Sequence, residues 1–114
     1  MSRDPRVIIH WKSIPNEDEV HEHLIERCQH ISSEFPEARH FELSLEPNGV
    51  GIQCSGHVNG KSTRVAAHQT GSETARHAGD KVLEKLEREL RREHDKRIFS
   101  PRRKAQQSQA KRSS

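Results

Sequence analysis

Four cations recur at Lys81, Lys85, Arg88 and Arg92, at intervals of four, three and four residues. On an α-helix, at about 100° per residue, they fall within about 60° of one another. Such a row advances by roughly 5–6 Å per step and suits a phosphate backbone, which asks for charge and reach rather than a shaped pocket. Arg91, Lys96 and Arg97 extend the basic character, and Arg102, Arg103 and Lys104 carry it onward. The same residues admit a plainer reading. Glu84–Arg88 and Glu87–Arg91 have the i,i+4 spacing that stabilises any solvated helix. Charge spacing alone leaves the two readings level.

Nine histidines form the second group. His40, His57 and His68 alternate with apolar residues, so strand periodicity puts them on one sheet face, opposite the core. Whether they meet depends on strand register. His21 and His23 are two apart on a helical stretch and point away from each other. A zinc site needs three or four converging ligands, and no spacing here supplies them, so no metal and no cofactor are expected. These histidines read as surface groups that hydrogen-bond or stack on RNA, or are solvated. No Gly-rich phosphate loop, nucleophile elbow or His-Glu-x-x-His motif is present. The carboxylates sit beside bases, and Cys28 and Cys54 fall at inward positions without an activating neighbour. The chain is not expected to be an enzyme or to take a small-molecule substrate.

The elements that must position these groups follow from the hydrophobic pattern. In Arg6–Trp11, Val7, Ile9 and Trp11 alternate as in a strand. Asn16 with Glu19 has the form of a capping box. Val20, Leu24, Cys28, Ile31 and Phe35 then make a helical stripe that Pro36 ends. Phe41, Leu43 and Leu45 mark a second strand, closed by a turn at Pro47-Asn48-Gly49. Val50, Ile52, Cys54 and Val58 share a face of the third strand, and Asn59-Gly60 is a strong hairpin signal. Thr63, Val65 and Ala67 are the inner residues of the fourth. Thr70 with Glu73 forms a second capping box, opening a helix from about Ser72 to Arg97. Its buried stripe is Ala75, Gly79, Val82, Leu86 and Leu90, with Leu83 alongside, and Ser100-Pro101 stops it. The order β-α-β-β-β-α predicts an α+β fold: a two-layer sandwich, with a four-stranded mixed sheet carrying both helices on one face and the other face open. The first crossover is expected to be right-handed.

Composition bounds the whole. The chain has 114 residues, 29% apolar and 32% charged, with a net charge of +3. That is one lean domain, expected over residues 1–99. Residues 100–114 are basic, free of acids and expected to be a disordered tail. Residues 1–70 hold seven Lys/Arg against ten Asp/Glu, whereas residues 71–114 hold thirteen against seven. A basic C-terminal third points to a polyanionic partner, of which nucleic acid is the commonest, or to a solvated helix with a solubility tail. Two distant cysteines read as reduced core thiols. Neither a membrane span nor an export signal is visible, so the expected compartment is the cytoplasm and no membrane partner is expected.

At Ala78-Gly79-Asp80-Lys81-Val82-Leu83-Glu84-Lys85-Leu86-Glu87-Arg88-Glu89-Leu90-Arg91-Arg92 the sequence resembles the last helix of the ribosome hibernation-promoting factor and ribosome-associated inhibitor family. That helix typically reads Ala-Ile-Asp, a few variable residues, then Lys-Leu-Glu-Arg-Gln-Leu and a basic run. The element order and the Asn-Gly pair before the last strand are similar too, and the resemblance covers about residues 6–97. Gly79 stands in place of the Ile, and Arg76 where the family often has an aromatic. The resemblance implies a short-form protein that binds the small ribosomal subunit between head and body, occupies the mRNA and tRNA positions, blocks initiation and promotes ribosome hibernation. It implies that Lys81, Lys85, Arg88, Arg91 and Arg92 contact ribosomal RNA. The free protein is expected to be a monomer. The alternative is a general structured-RNA-binding module resembling a double-stranded-RNA-binding domain, although that fold begins with a helix and has three strands. A third reading is an interaction protein whose long helix pairs with a partner helix, which would leave Val82, Leu86 and Leu90 exposed.

Overall fold

The computed structural model describes the backbone of residues 4–60 and 62–113, and side chains over residues 4–60 and 62–95. The elements are β1 (Arg6–Trp11), α1 (Asp18–Glu34), β2 (His40–Asn48), β3 (Gly51–Gly60), β4 (Thr63–Ser72) and α2 (Ala75–Ser113). The sheet has the order β1-β2-β3-β4. β1 runs parallel to β2, and β2–β3 and β3–β4 are antiparallel. Both helices lie on one face, as the hydrophobic pattern requires. The leading strand β1 separates this fold from a double-stranded-RNA-binding domain.

The core lies between that sheet face and the helices. Phe41, Leu43 and Leu45 alternate inward from β2 and meet Leu24, Cys28 and Ile31 of α1 and Val82, Leu83, Leu86 and Leu90 of α2 in one buried cluster. The α2 stripe is therefore packed on the sheet rather than exposed for a partner helix. Val7, Ile9 and Ile52 are only half-buried, short of the burial their alternation suggests. β1 is an edge strand with β2 as its only neighbour, and Ile52 sits beside a register irregularity between Ile52 and Cys54. Val50 does not share the inner face of β3 at all. It stands fully exposed at the tip of the β2–β3 turn, after Gly49 at φ 67°.

Two glycines allow elements to touch. A Cβ on Gly79 would lie 2.8 Å from both Cδ atoms of Leu24, so its absence lets α2 close on α1. A Cβ on Gly60 would collide with the Glu37 carbonyl oxygen in the α1–β2 connection. Asn59-Gly60 is accordingly not the turn. Both residues still pair, with Arg64 and Thr63, and the chain reverses beyond them, where Ser62 takes φ 64°.

The caps also shift. α1 is preceded by Glu17 in an extended conformation with no side-chain cap bond, so the Asn16/Glu19 box does not form. The helix starts too late for Asn16 to reach its first turn. Thr70 is absorbed into β4, and Thr74 caps α2 instead. Its Oγ1 accepts the His77 N–H at 3.1 Å, and its carbonyl accepts the Ala78 N–H at 3.0 Å. α2 runs on past Ser100-Pro101, where the sequence suggests a stop. A proline inside a helix removes one N–H bond and crowds the preceding turn, so Pro101 is where the local signal and the helical backbone disagree. The expected tail at 100–114 lies outside the described side chains.

Candidate nucleic-acid interface

The Val82/Leu86/Leu90 stripe fixes how α2 is rotated about its axis. Lys81, Lys85, Arg88 and Arg92 consequently lie off the core. Rotation and position are held further by a clasp between the helices. Asp80 Oδ1 accepts from His23 Nε2 at 2.8 Å and from Arg27 Nη1 at 3.0 Å, and Arg76 Nε lies 3.9 Å from Oδ2. Asp80, His23 and Arg27 are each roughly three-quarters buried at the side chain, where charge-assisted bonds are stronger than at the open surface.

The basic residues divide by flank. Lys85 lies toward β4 and donates from Nζ to the His68 carbonyl at 2.8 Å. Lys81 is paired with Glu84 at 3.6 Å and Arg92 with Glu89 at 3.5 Å. Arg88 is exposed and makes no ion pair among the described residues. Arg91 faces α1 instead. Its Nη2 is 3.3 Å from Glu87 Oε2 and 3.8 Å from Glu34 Oε1, and its guanidinium carbon sits 5.4 Å from the centre of the Phe35 ring. Arg91 is therefore tied to the body, apart from the Lys81/Lys85/Arg88/Arg92 row. Glu84 takes Lys81 rather than Arg88, whereas the Glu87–Arg91 pair forms as its spacing suggests. The side chains of Lys96, Arg97, Arg102 and Arg103 lie outside the described residues.

Between residues 75 and 95 α2 carries as many acids as bases. Net charge therefore draws no polyanion to this stretch, and any attraction would have to come from segregation of charge between its faces. Further on, Lys96, Arg97, Arg102, Arg103, Lys104, Lys111 and Arg112 occur without a single acid. The exposed pairs on α2 are each worth only about 0–1 kcal/mol, so a phosphate can displace them at small cost.

Strand register builds a second polar surface on the open face. One row across the sheet is Arg6, His40, Asn59 and Arg64. The next contains Glu42 and His57 opposite each other, and the third contains His10, with Ser55 opposite His68. His10 Nε2 lies 2.7 Å from Glu42 Oε2, and His57 and His40 Nε2 lie 3.4 and 3.7 Å from Glu42 Oε1. The hydrogen bond from His10, and the charges of His57 and His10, hold the Glu42 carboxyl below the ordinary carboxylate value, against a smaller opposing effect of desolvation. Of the three strand histidines expected to share this face, register joins His40 and His57, and His68 stays apart. His10 completes the cluster. Its place was readable, since it alternates with Ile9 and Trp11.

His21 and His23 do point apart. His21 Nδ1 accepts the Trp11 indole N–H at 3.2 Å, and His23 serves Asp80. Among the described residues no group of three or more His, Cys, Asp or Glu side chains is placed to hold a metal ion. Burial pushes both the Cys28 and Cys54 thiols up to about 12, which keeps them protonated and poor nucleophiles. Among the described residues no helix is long and apolar enough to cross a membrane.

Comparison with known proteins gives one family and a set of similar folds. Residues 7–98 match the family described as sigma 54 modulation protein / S30EA ribosomal protein. A ribosomal subunit interface protein from Coxiella burnetii superposes with a TM-score of 0.70 at 13% identity, over 79% of this chain and 98% of that one. The N-terminal domain of Protein Y from Thermus thermophilus superposes with a TM-score of 0.66 at 12% identity, over 78% and 97%. Among curated proteins none matches the sequence.

Proposed function

Because the chain belongs to the sigma 54 modulation protein / S30EA ribosomal protein family, we propose that it is a non-catalytic ribosome-binding protein that sits in the mRNA and tRNA channel of the small subunit and holds the ribosome idle. The family match over residues 7–98 carries this reading. The name of the Coxiella burnetii protein of similar fold, a ribosomal subunit interface protein, agrees with it. The basic row on α2 supplies the means. Lys81, Lys85, Arg88 and Arg92 are the proposed contacts to ribosomal RNA, with Arg91 at the α1 flank. Lys96, Arg97, Arg102 and Arg103 are proposed to add phosphate contacts from the acid-free segment, with residues 100–114 as a basic extension of the domain.

The test replaces Lys81, Lys85, Arg88 and Arg92 together by Gln. Gln keeps helix propensity close to that of Lys and Arg, and none of the four side chains is in the core. Folding should lose no more than a few exposed pairs and the exposed Lys85 bond to the His68 carbonyl. Co-sedimentation with small subunits should be lost, together with inhibition of translation in vitro, because each neutralised phosphate releases counterions. Wild-type binding should weaken steeply with salt, and residual binding by the variant should weaken less steeply. A variant that still sediments with ribosomes and still inhibits would remove the α2 row from the mechanism.

A further inference from the structure

The open sheet face has a feature that the α2 row does not use. Glu42 is surrounded by three imidazoles, one from each of β1, β2 and β3, all with Nε2 turned to its carboxylate. We propose that this face is a second RNA-contact surface, and that protonation of His10, His40 and His57 around Glu42 switches it from repelling to attracting the phosphate backbone. The proposal rests on the reading of the chain as an RNA-binding protein and adds a surface and a condition to it.

The argument is one of charge at a fixed place. With neutral imidazoles and an ionised Glu42 the cluster carries one negative charge; with all three imidazoles protonated it carries two positive charges. Imidazole is the side chain whose charge changes between about pH 5 and 8. Glu42 stays ionised through that range, since its neighbours hold its carboxyl low. The sign of the cluster therefore inverts with imidazole protonation alone. Other charges on the face favour the same partner. β1 contributes Arg6, with Lys12 just beyond its end, and β4 contributes Arg64 and His68. The remaining carboxylate is Glu46 of β2, which already accepts from the Gln53 amide. Both helices pack on the opposite face, so none of their described groups intervenes. A mostly polar surface with cations along one row and one switchable centre complements a polyanion. Its large apolar side chain by register is Ile8, half-buried at the edge strand in the Glu42 row, and the fully exposed Val50 lies at a turn tip, so the face offers a protein little apolar area.

The test is fluorescence anisotropy with a short labelled single-stranded RNA at fixed salt, at about pH 8 and about pH 6. The proteins are the wild type, a His10→Gln/His40→Gln/His57→Gln variant and a Glu42→Gln variant. The other histidines contribute the same background to all three. From the higher to the lower pH, wild-type affinity should rise about tenfold more than that of the triple variant, taking each new exposed charge contact as a factor of roughly two. Glu42→Gln should bind tighter than wild type at the higher pH, because the repelling charge is gone. Trp11 emission reports that each variant is folded, and His21, its partner, is unchanged. An equal rise in the wild type and the triple variant, or no gain from Glu42→Gln, overturns the proposal. The Lys81/Lys85/Arg88/Arg92 variant in the same assay separates the two readings. If it loses RNA while the triple variant behaves as wild type, the sheet-face inference fails and the α2 row stands. If it binds RNA undiminished while the histidine effect is present, the α2 row fails and the sheet face stands.

Discussion

Gly79→Ala should destabilise the protein, although alanine is the better helix former. Replacing glycine by alanine inside a helix gains about 0.8–1 kcal/mol on propensity. Here the new methyl would stand 2.8 Å from Cδ1 and Cδ2 of Leu24 and 3.4 Å from its Cγ. Leu24 is fully buried among core side chains, so it cannot swing into solvent. Adding a methyl to a filled core costs about 1–3 kcal/mol, and the net is a loss of about 1 kcal/mol. Leu24→Ala alone should cost about 2–5 kcal/mol through the cavity it leaves. In that background Gly79→Ala should change sign and stabilise by about 1 kcal/mol or more, since the methyl now enters free space. The cycle of four proteins should therefore show a coupling of about 2 kcal/mol, well above the scatter seen for independent sites. Urea denaturation followed by far-UV circular dichroism measures it. Emission from Trp11, the only tryptophan, gives a second probe of the same transition. For a domain of this size each 1 kcal/mol moves Tm by roughly 4–8 °C. A stabilising Gly79→Ala in the wild-type background, or equal effects in both backgrounds, would refute close helix contact as the reason for the glycine.

Asp80→Asn should lower stability by about 1–2 kcal/mol, because it weakens the charge-assisted bonds to His23 and Arg27 that pin α2 to α1; an unchanged denaturation midpoint would show the clasp to be idle. Cys28 and Cys54 should resist a thiol reagent at about pH 8 in the folded protein and both react once it is denatured, so rapid labelling under native conditions would contradict their burial.

Local pattern determined most of the architecture. The 4-4-3-4 apolar spacing of Val20, Leu24, Cys28, Ile31 and Phe35 admits only a helix with one buried stripe. The alternation through Phe41, Leu43 and Leu45 admits only a strand with one buried face. Their order leaves few layerings that bury every apolar face. The basic row on α2 was legible for the same reason, since helical periodicity alone puts Lys81, Lys85, Arg88 and Arg92 together. What went beyond that depended on neighbours distant in sequence. Asn59-Gly60 has the chemistry of a turn, yet Gly60 is used where β3 passes the Glu37 carbonyl, and the turn moved on. Thr70 was a credible cap until pairing with β3 drew β4 out to Ser72. Arg91 belongs to the basic helix by sequence, but Phe35 and Glu34 draw it toward α1. The histidines gave the clearest division. Alternation assigned His40, His57 and His68 to a face, while only register could bring His40 and His57 to Glu42 beside His10 and leave His68 apart. Period and propensity are properties of a few adjacent residues. Register and close approach are properties of two segments at once, and only the folded chain fixes them.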